Sequence, residues 1–168
     1  MNRELEEDQW RTTAFTDGSA LDNKAAGGFC ANPNKLDKNK DQPDRMGGKY
    51  LGIKATHFDG ELEGIALALE KHKNTNMVAL LSDCKPAKRV VEKLDSGMEA
   101  PRSDIEARIL NVLETRENKQ QETYIAWVNG HKDIKGNKLG DKISKRTSIL
   151  GHESEGVVTP AELRAWCR

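Results

Sequence analysis

Five successive apolar residues at positions 77–81, MVALL, run without a polar alternate and stop at Ser82-Asp83. A run of that length has the size of a strand, and side chains that are apolar on both faces need cover on both sides of a sheet. The segment therefore calls for a layered α/β domain in which helices enclose a central strand. The chain on either side supplies the layers. Residues 12–16 (TTAFT) read as a strand that the turn chemistry of DGSALDNK ends. AAGGFCAN reads as a second strand, PNKLDKNKDQPDRMGG as a long exposed hairpin loop, and KYLGIKATHF as the returning third strand of a meander.

From Asp59 the period changes. Leu62, Ile65, Ala66 and Leu69 recur at helical spacing behind Asp59 as N-cap, so a helix is predicted to end near residues 73–74. After MVALL come two more helices. KPAKRVVEKL carries Pro86 in its first turn, and RSDIEARILNVLETREN places Ile105, Ile109, Val112 and Leu113 on one face, with Ser103 as cap and Glu106 three residues on. TYIAWV (123–128) is a fifth strand, NGHKDIKGN a loop, and residues 136–148 a last helix. The order β-β-β-α-β-α-α-β-α predicts an α/β fold: a five-stranded mixed sheet of three antiparallel strands and two parallel additions, flanked by helices. Residues 1–9 read as an N-terminal extension, 10–150 as one domain, and 151–168 as a polar tail with at most one short helix at 160–166.

Composition narrows the function classes. Lys+Arg and Asp+Glu balance at 27 each in 168 residues, so any nucleic-acid binding must come from a local patch. Cys30, Cys84 and Cys167 are odd in number and widely spaced, which fits neither a disulfide framework nor a zinc site and points to a reducing, intracellular compartment, nucleus and cytoplasm not being distinguished. No stretch approaches 18 consecutive apolar residues, so no membrane partner is expected.

Four acidic residues stand out by position: Asp17 at the end of the first strand, Glu61 in the first turn of the first helix, Asp83 at the end of the fourth strand, and Asp141 in the last helix. In open α/β sheets, sites form beyond the carboxyl ends of the strands, where the first and fourth strands can be neighbours. Aspartates meeting there repel one another unless divalent cations neutralise them, and carboxylate oxygens suit Mg²⁺ or Mn²⁺. Two such ions about 4 Å apart would hold the attacking water and leaving oxygen of a phosphodiester in line.

FTDGSA, GELEGIALAL, LLSDC and WVNGHKDIKGNKLGDKIS together resemble type 1 ribonuclease H in order and spacing, over about residues 10–148. The resemblance implies a ribonuclease H-like fold and an endonuclease that cuts the RNA strand of RNA-DNA hybrids with two Mg²⁺ (or Mn²⁺) ions. Asp17, Glu61, Asp83 and Asp141 would be the metal-binding carboxylates, and His131 the histidine that aids proton transfer and product release. Gly18, Ser19 and Asn137 match substrate-contacting or loop-supporting positions, while Lys85 and Lys88 would touch phosphates. The stretch from Ala100 to Trp166 looks most like the ribonuclease H domains of fungal non-LTR retrotransposons, which sit downstream of a reverse transcriptase. A monomer is expected. Relatives carry a polar pair just before the helical glutamate, whereas this chain has THFDGE, with His57, Phe58 and Asp59 in its place.

Two rival readings stay open: an integrase-like nuclease of the same fold, and a non-catalytic hybrid-binding or dimerisation module. Glu63 and Glu70 are expected in solvated or ion-paired roles, His57 and His72 in structural or surface ones, and Cys84 as a small buried residue. Trp10, Trp127 and Trp166 read as core or anchoring aromatics.

Overall fold

The computed structural model describes residues 10–33, 46–130, 134–154, 157–158 and 161. Residues 34–45 of the expected long loop, the loop histidine His131 and nearly all of the helix expected at 160–166 lie outside the described residues, whereas residues 46–48, expected in that loop, are strand.

The predicted five-stranded mixed sheet is present. β1 (Arg11–Leu21), β2 (Lys24–Ala31) and β3 (Met46–Gly52) form the antiparallel meander, and β4 (Met77–Ser82) and β5 (Glu122–Trp127) add in parallel on the other side of β1. The order is β3-β2-β1-β4-β5, and a two-residue strand β6 (Val157–Val158) pairs antiparallel on the outer edge of β3. On one face lie α1 (His57–Lys71), α2 (Lys85–Asp95) and α3 (Asp104–Asn118); α4 (Lys135–Ser154) packs across β1, β2 and β3 on the other. Phe29 and Cys30, neighbours on β2, point to opposite faces and so belong to the two separate cores. The larger core joins Ala14, Leu62, Ile65, Leu69, Val78, Leu80 and Ile109, whereas the smaller gathers Cys30, Met46, Ile143 and Val158 beneath α4.

Several sequence expectations are corrected. Thr12–Thr16 was to end at Asp17, yet β1 continues to Leu21 and turns at Asp22-Asn23, both with positive φ of 50° and 60°. Such a two-residue turn matches the right-handed twist of a hairpin, and Asp and Asn tolerate its backbone. The first helix starts at His57, and its cap lies three residues before Asp59. Thr56 is its N-cap: the Thr56 hydroxyl accepts from the Asp59 N–H at 3.1 Å while the Asp59 carboxylate accepts from the Thr56 N–H at 2.8 Å. Glu61 is thereby in the second turn, where little of the helix-terminal dipole reaches.

The MVALL strand is covered fully on one face only. Val78 and Leu80 are buried but Met77, Ala79 and Leu81 are half-buried, because α4 lies over β1 to β3 and stops short of fully roofing β4. α4 itself runs beyond residue 148 to Ser154. Leu150 packs against the smaller core, and Gly151 lies so close to β3 that a β-carbon there would stand 2.2 Å from the Tyr50 Cβ, so tertiary contact carries the helix past a residue of low helix propensity. No helix among the described residues is long and apolar enough to cross a membrane.

One buried cation braces the ends of the helices on the larger core. Arg116, fully buried near the end of α3, donates to the His72 and Thr75 carbonyls at 2.9 and 2.8 Å, to the Glu122 carbonyl at 2.8 Å and to the Thr123 hydroxyl at 2.8 Å. Burial lowers its pKa, and carbonyl dipoles rather than a counter-ion hold the charge. Each buried acceptor left unpaired costs on the order of 1–3 kcal/mol, so Arg116→Met is expected to destabilise the domain by about 3 kcal/mol or more. Urea unfolding with an unchanged m-value checks this; a loss below about 1 kcal/mol would show that water replaces the guanidinium.

Candidate active site

Register delivers the first two carboxylates. β1 and β4 run parallel with Thr16 opposite Ser82, so Asp17 and Asp83 leave adjacent strands at the same level. β4 ends there while β1 runs on against β2, which places Asp17 inside a strand rather than in a turn. The third comes from α1, which reaches the sheet through glycines. A β-carbon on Gly18 would stand 2.3 Å from the Glu61 backbone nitrogen and 2.6 Å from the Gly60 carbonyl carbon. With no side chain at 18, helix and strand touch backbone to backbone, and Glu61 projects beside Asp17.

One carboxylate oxygen from each of Asp17, Glu61 and Asp83 lies within 4.8 Å of the other two. They open into a cleft of about 580 Å³ whose walls also carry Gly18, His57, Cys84, Lys85, Trp127 and Asp141. Burial, then the charge of Asp83, pushes the Asp17 pKa up to about 7, against a hydrogen bond from the Ser144 hydroxyl at 3.0 Å that lowers it. Burial, then the charges of Asp17 and Asp83, pushes Glu61 up to about 9. The Glu61 Oε2 is buried with no hydrogen-bond partner among the described residues, and Oε1 lies 3.5 Å from the His57 Nε2. Crowded hard oxygen donors, mutual repulsion and an orphaned buried oxygen fit a divalent cation such as Mg²⁺ or Mn²⁺.

Asp141 borders the same cleft beside Asp17, whose pKa it also raises, though it is not one of the tight trio; its Oδ2 accepts from the Lys145 Nζ at 2.8 Å. The buried Asn137 falls within the first turn of α4, beside Gly136 packed on Phe15. Gly18 and Lys85 are on the cleft wall as expected; Ser19 is buried and is not part of the described lining, and Lys88 is paired with Glu92 one turn along α2. Glu63 and Glu70 are both bound by Arg108, whose pKa they raise, as an ion-paired role requires.

The sequence reading missed two residues at this site. Trp127, expected as a core or anchoring aromatic, is 41% exposed at the mouth of the cleft, where its Nε1 donates to the Asp83 carbonyl at 3.1 Å and its ring lies 4.2 Å below the Lys85 Nζ. β5 is an edge strand, so its last residue has no layer to enter; only the adjacency of WV to the following loop could have flagged it. His57, taken as structural or surface, lines the cleft beside Glu61. Cys84 is half-buried at the start of α2, and burial raises its thiol pKa, which leaves it a poor nucleophile.

A sequence model of the RNase H family matches residues 9–149. The chain belongs to the RNase H family. It is accordingly a ribonuclease H-type enzyme, and its acidic cluster is compatible with the family's use of divalent metal. Among solved structures, the RNase H1 of the halophilic archaeon Halobacterium salinarum NRC-1 superposes with a TM-score of 0.53 at 20% identity, covering 83% of this chain and 97% of that one. That likeness concerns the fold. No curated protein matches this RNase H domain.

Two outcomes are expected from the geometry. Both raised carboxyls keep their protons in the folded state between about pH 4 and their folded values near 7 and 9, so folding stability conferred at low pH is lost as pH rises through that window. In EDTA, Asp17→Asn should therefore melt about 2–4 °C above the wild type at pH 8 per kcal/mol of repulsion removed, an advantage that vanishes near pH 4 and narrows with Mg²⁺. Calorimetry at the two pH values checks it. Gly18→Ala should lower both melting temperature and turnover, since α1 must shift to admit the methyl group; wild-type behaviour would show that the seam yields.

Proposed function

We propose that this domain hydrolyses the RNA strand of RNA-DNA hybrids through two divalent ions, Mg²⁺ or Mn²⁺, held by Asp17, Glu61, Asp83 and Asp141. The observation that carries the proposal is the convergence of three carboxylates in an open cleft where the parallel pairing of β1 and β4 ends. Bound there, the ions would neutralise the cluster, activate water and offset charge developing on the phosphodiester. The protein's own groups do the rest. Ser144 fixes the Asp17 carboxylate, Gly18 leaves the cleft floor without bulk beside it, and Lys85 supplies a cation on the wall. The 2′-hydroxyl and the A-like shape of a hybrid would mark the strand to be cut. His131 is proposed, from the resemblance alone, to move the proton that leaves the water.

One chain supplies all four carboxylates, which supports a monomer as the working unit. The likeness of the segment from Ala100 to Trp166 to retrotransposon domains supports an origin in a polyprotein with a reverse transcriptase. Reading the genomic frame upstream for a polymerase domain tests that origin.

The activity is tested with end-labelled RNA-DNA hybrid, double-stranded RNA and double-stranded DNA, each with Mg²⁺, Mn²⁺ or EDTA. Cleavage confined to the RNA strand of the hybrid and dependent on metal is expected. Asp83→Asn should reduce kcat by at least about a hundredfold, as loss of a group that stabilises transition-state charge does. Metal-dependent cutting of duplex DNA instead would favour an integrase-like nuclease, and hybrid binding without cutting a degenerate module.

A further inference from the structure

We propose that Trp127 is a positioning residue that holds the Lys85 ammonium away from the carboxylate cluster and so leaves the cluster free for divalent cations. The inference rests on the reading of Asp17, Glu61 and Asp83 as a divalent-cation site.

Lys85 follows Asp83 by two residues, begins α2, and shares a cleft wall with Asp17, Glu61 and Asp83. A lysine is a compact charge on a flexible four-carbon stem, and three crowded carboxylates within reach are its natural partners. It does not take them. Its Nζ sits 4.2 Å from the centroid of the Trp127 ring, and among the described residues it forms no ion pair with a carboxylate. The same site shows what a lysine without such a platform does: Lys145, one turn from Asp141, binds that carboxylate at 2.8 Å.

The indole is fixed for this role from two sides. Its Nε1 donates to the carbonyl of Asp83, and the next residue's N–H, that of Val128, donates to the Ser82 carbonyl at 2.9 Å. The ring is thus anchored to the very turn that carries both Asp83 and Lys85. Trp127 stands half-exposed on an edge strand, where core packing asks for no aromatic. Its negative ring face attracts the ammonium, yet cannot neutralise it, so the cation remains available to a phosphate entering the cleft and does not occupy the carboxylates.

The test is Mn²⁺ binding to the whole chain, followed by calorimetry and by the electron paramagnetic resonance of free Mn²⁺. Trp127→Leu removes the ring face and should weaken Mn²⁺ binding about tenfold, as Lys85 falls into the cluster. Trp127→Leu with Lys85→Met should return the affinity to within about threefold of wild type. Trp127→Phe keeps a ring but no N–H, and should bind Mn²⁺ nearly as the wild type does. An unchanged affinity in Trp127→Leu, or a double variant as weak as the single one, overturns the proposal. Should the leucine variant fail to fold, the wild type alone decides: the Lys85 Hε protons must show the upfield ring-current shift of a group over an indole, and ordinary positions overturn the proposal. A wild type that binds no Mn²⁺ would instead overturn the metal-site reading itself.

Discussion

The contact on which the site depends is the bare-backbone seam between α1 and the β1–β2 hairpin. Gly18 and Gly27 on the strands face Gly60 and Gly64 on the helix, and a β-carbon on Gly60 would stand 2.4 Å from the Ala26 carbonyl oxygen. Ordinary side chains would hold helix and sheet several ångströms further apart. The seam draws the second turn of α1 onto the sheet, and with it a carboxylate that would otherwise reach solvent. Glycine weakens both helix and strand interiors, so this arrangement costs local stability at four positions. What it gains is a rigid separation between Glu61 and Asp17 that no flexible side chain sets.

That separation stores electrostatic tension. Two buried carboxyls are driven well above their ordinary pKa values, and one oxygen lacks any partner among the described residues. Among the described residues no lysine or arginine relieves it: Arg108 is spent on Glu63 and Glu70, Lys145 on Asp141, and Lys85 rests on Trp127. A site arranged in this way is pre-organised for positive charge arriving from solution. The fold, braced elsewhere by two cores and by Arg116, tolerates the local repulsion.

Much of this was legible in the sequence because it follows from short-range rules. The strand order came from turn residues and from the change of period at the first helix, and the carboxylates Asp17, Glu61 and Asp83 were marked by strand ends and helix position. The misreadings arose where tertiary structure decides. Asp17-Gly18-Ser19 has the composition of a turn, but antiparallel pairing with β2 continues through it. Asp59 is a good cap by type, yet Thr56 takes the role and makes Asp59 its reciprocal partner. Residue type reads Trp127 as a core or anchoring aromatic; of the two, edge position and the Asp83 carbonyl make it an anchor at the cleft mouth. Arg116 gave no signal at all, since a buried arginine satisfied by distant carbonyls looks like any polar residue on a helix.

The two-residue strand β6 determines what the outer edge of β3 meets. β3 (MGGKYLG) is rich in glycine and has few large side chains to define which residues it faces, the sort of strand that slips in register or pairs with a stranger. Val157–Val158 occupies its outer edge opposite Gly48 and Lys49, and Val158 buries itself beneath α4 as it does so. A short covalently tethered segment thereby occupies backbone groups that could template a second molecule. Two residues of the stretch that reads as a polar tail thus complete the sheet at its outer edge.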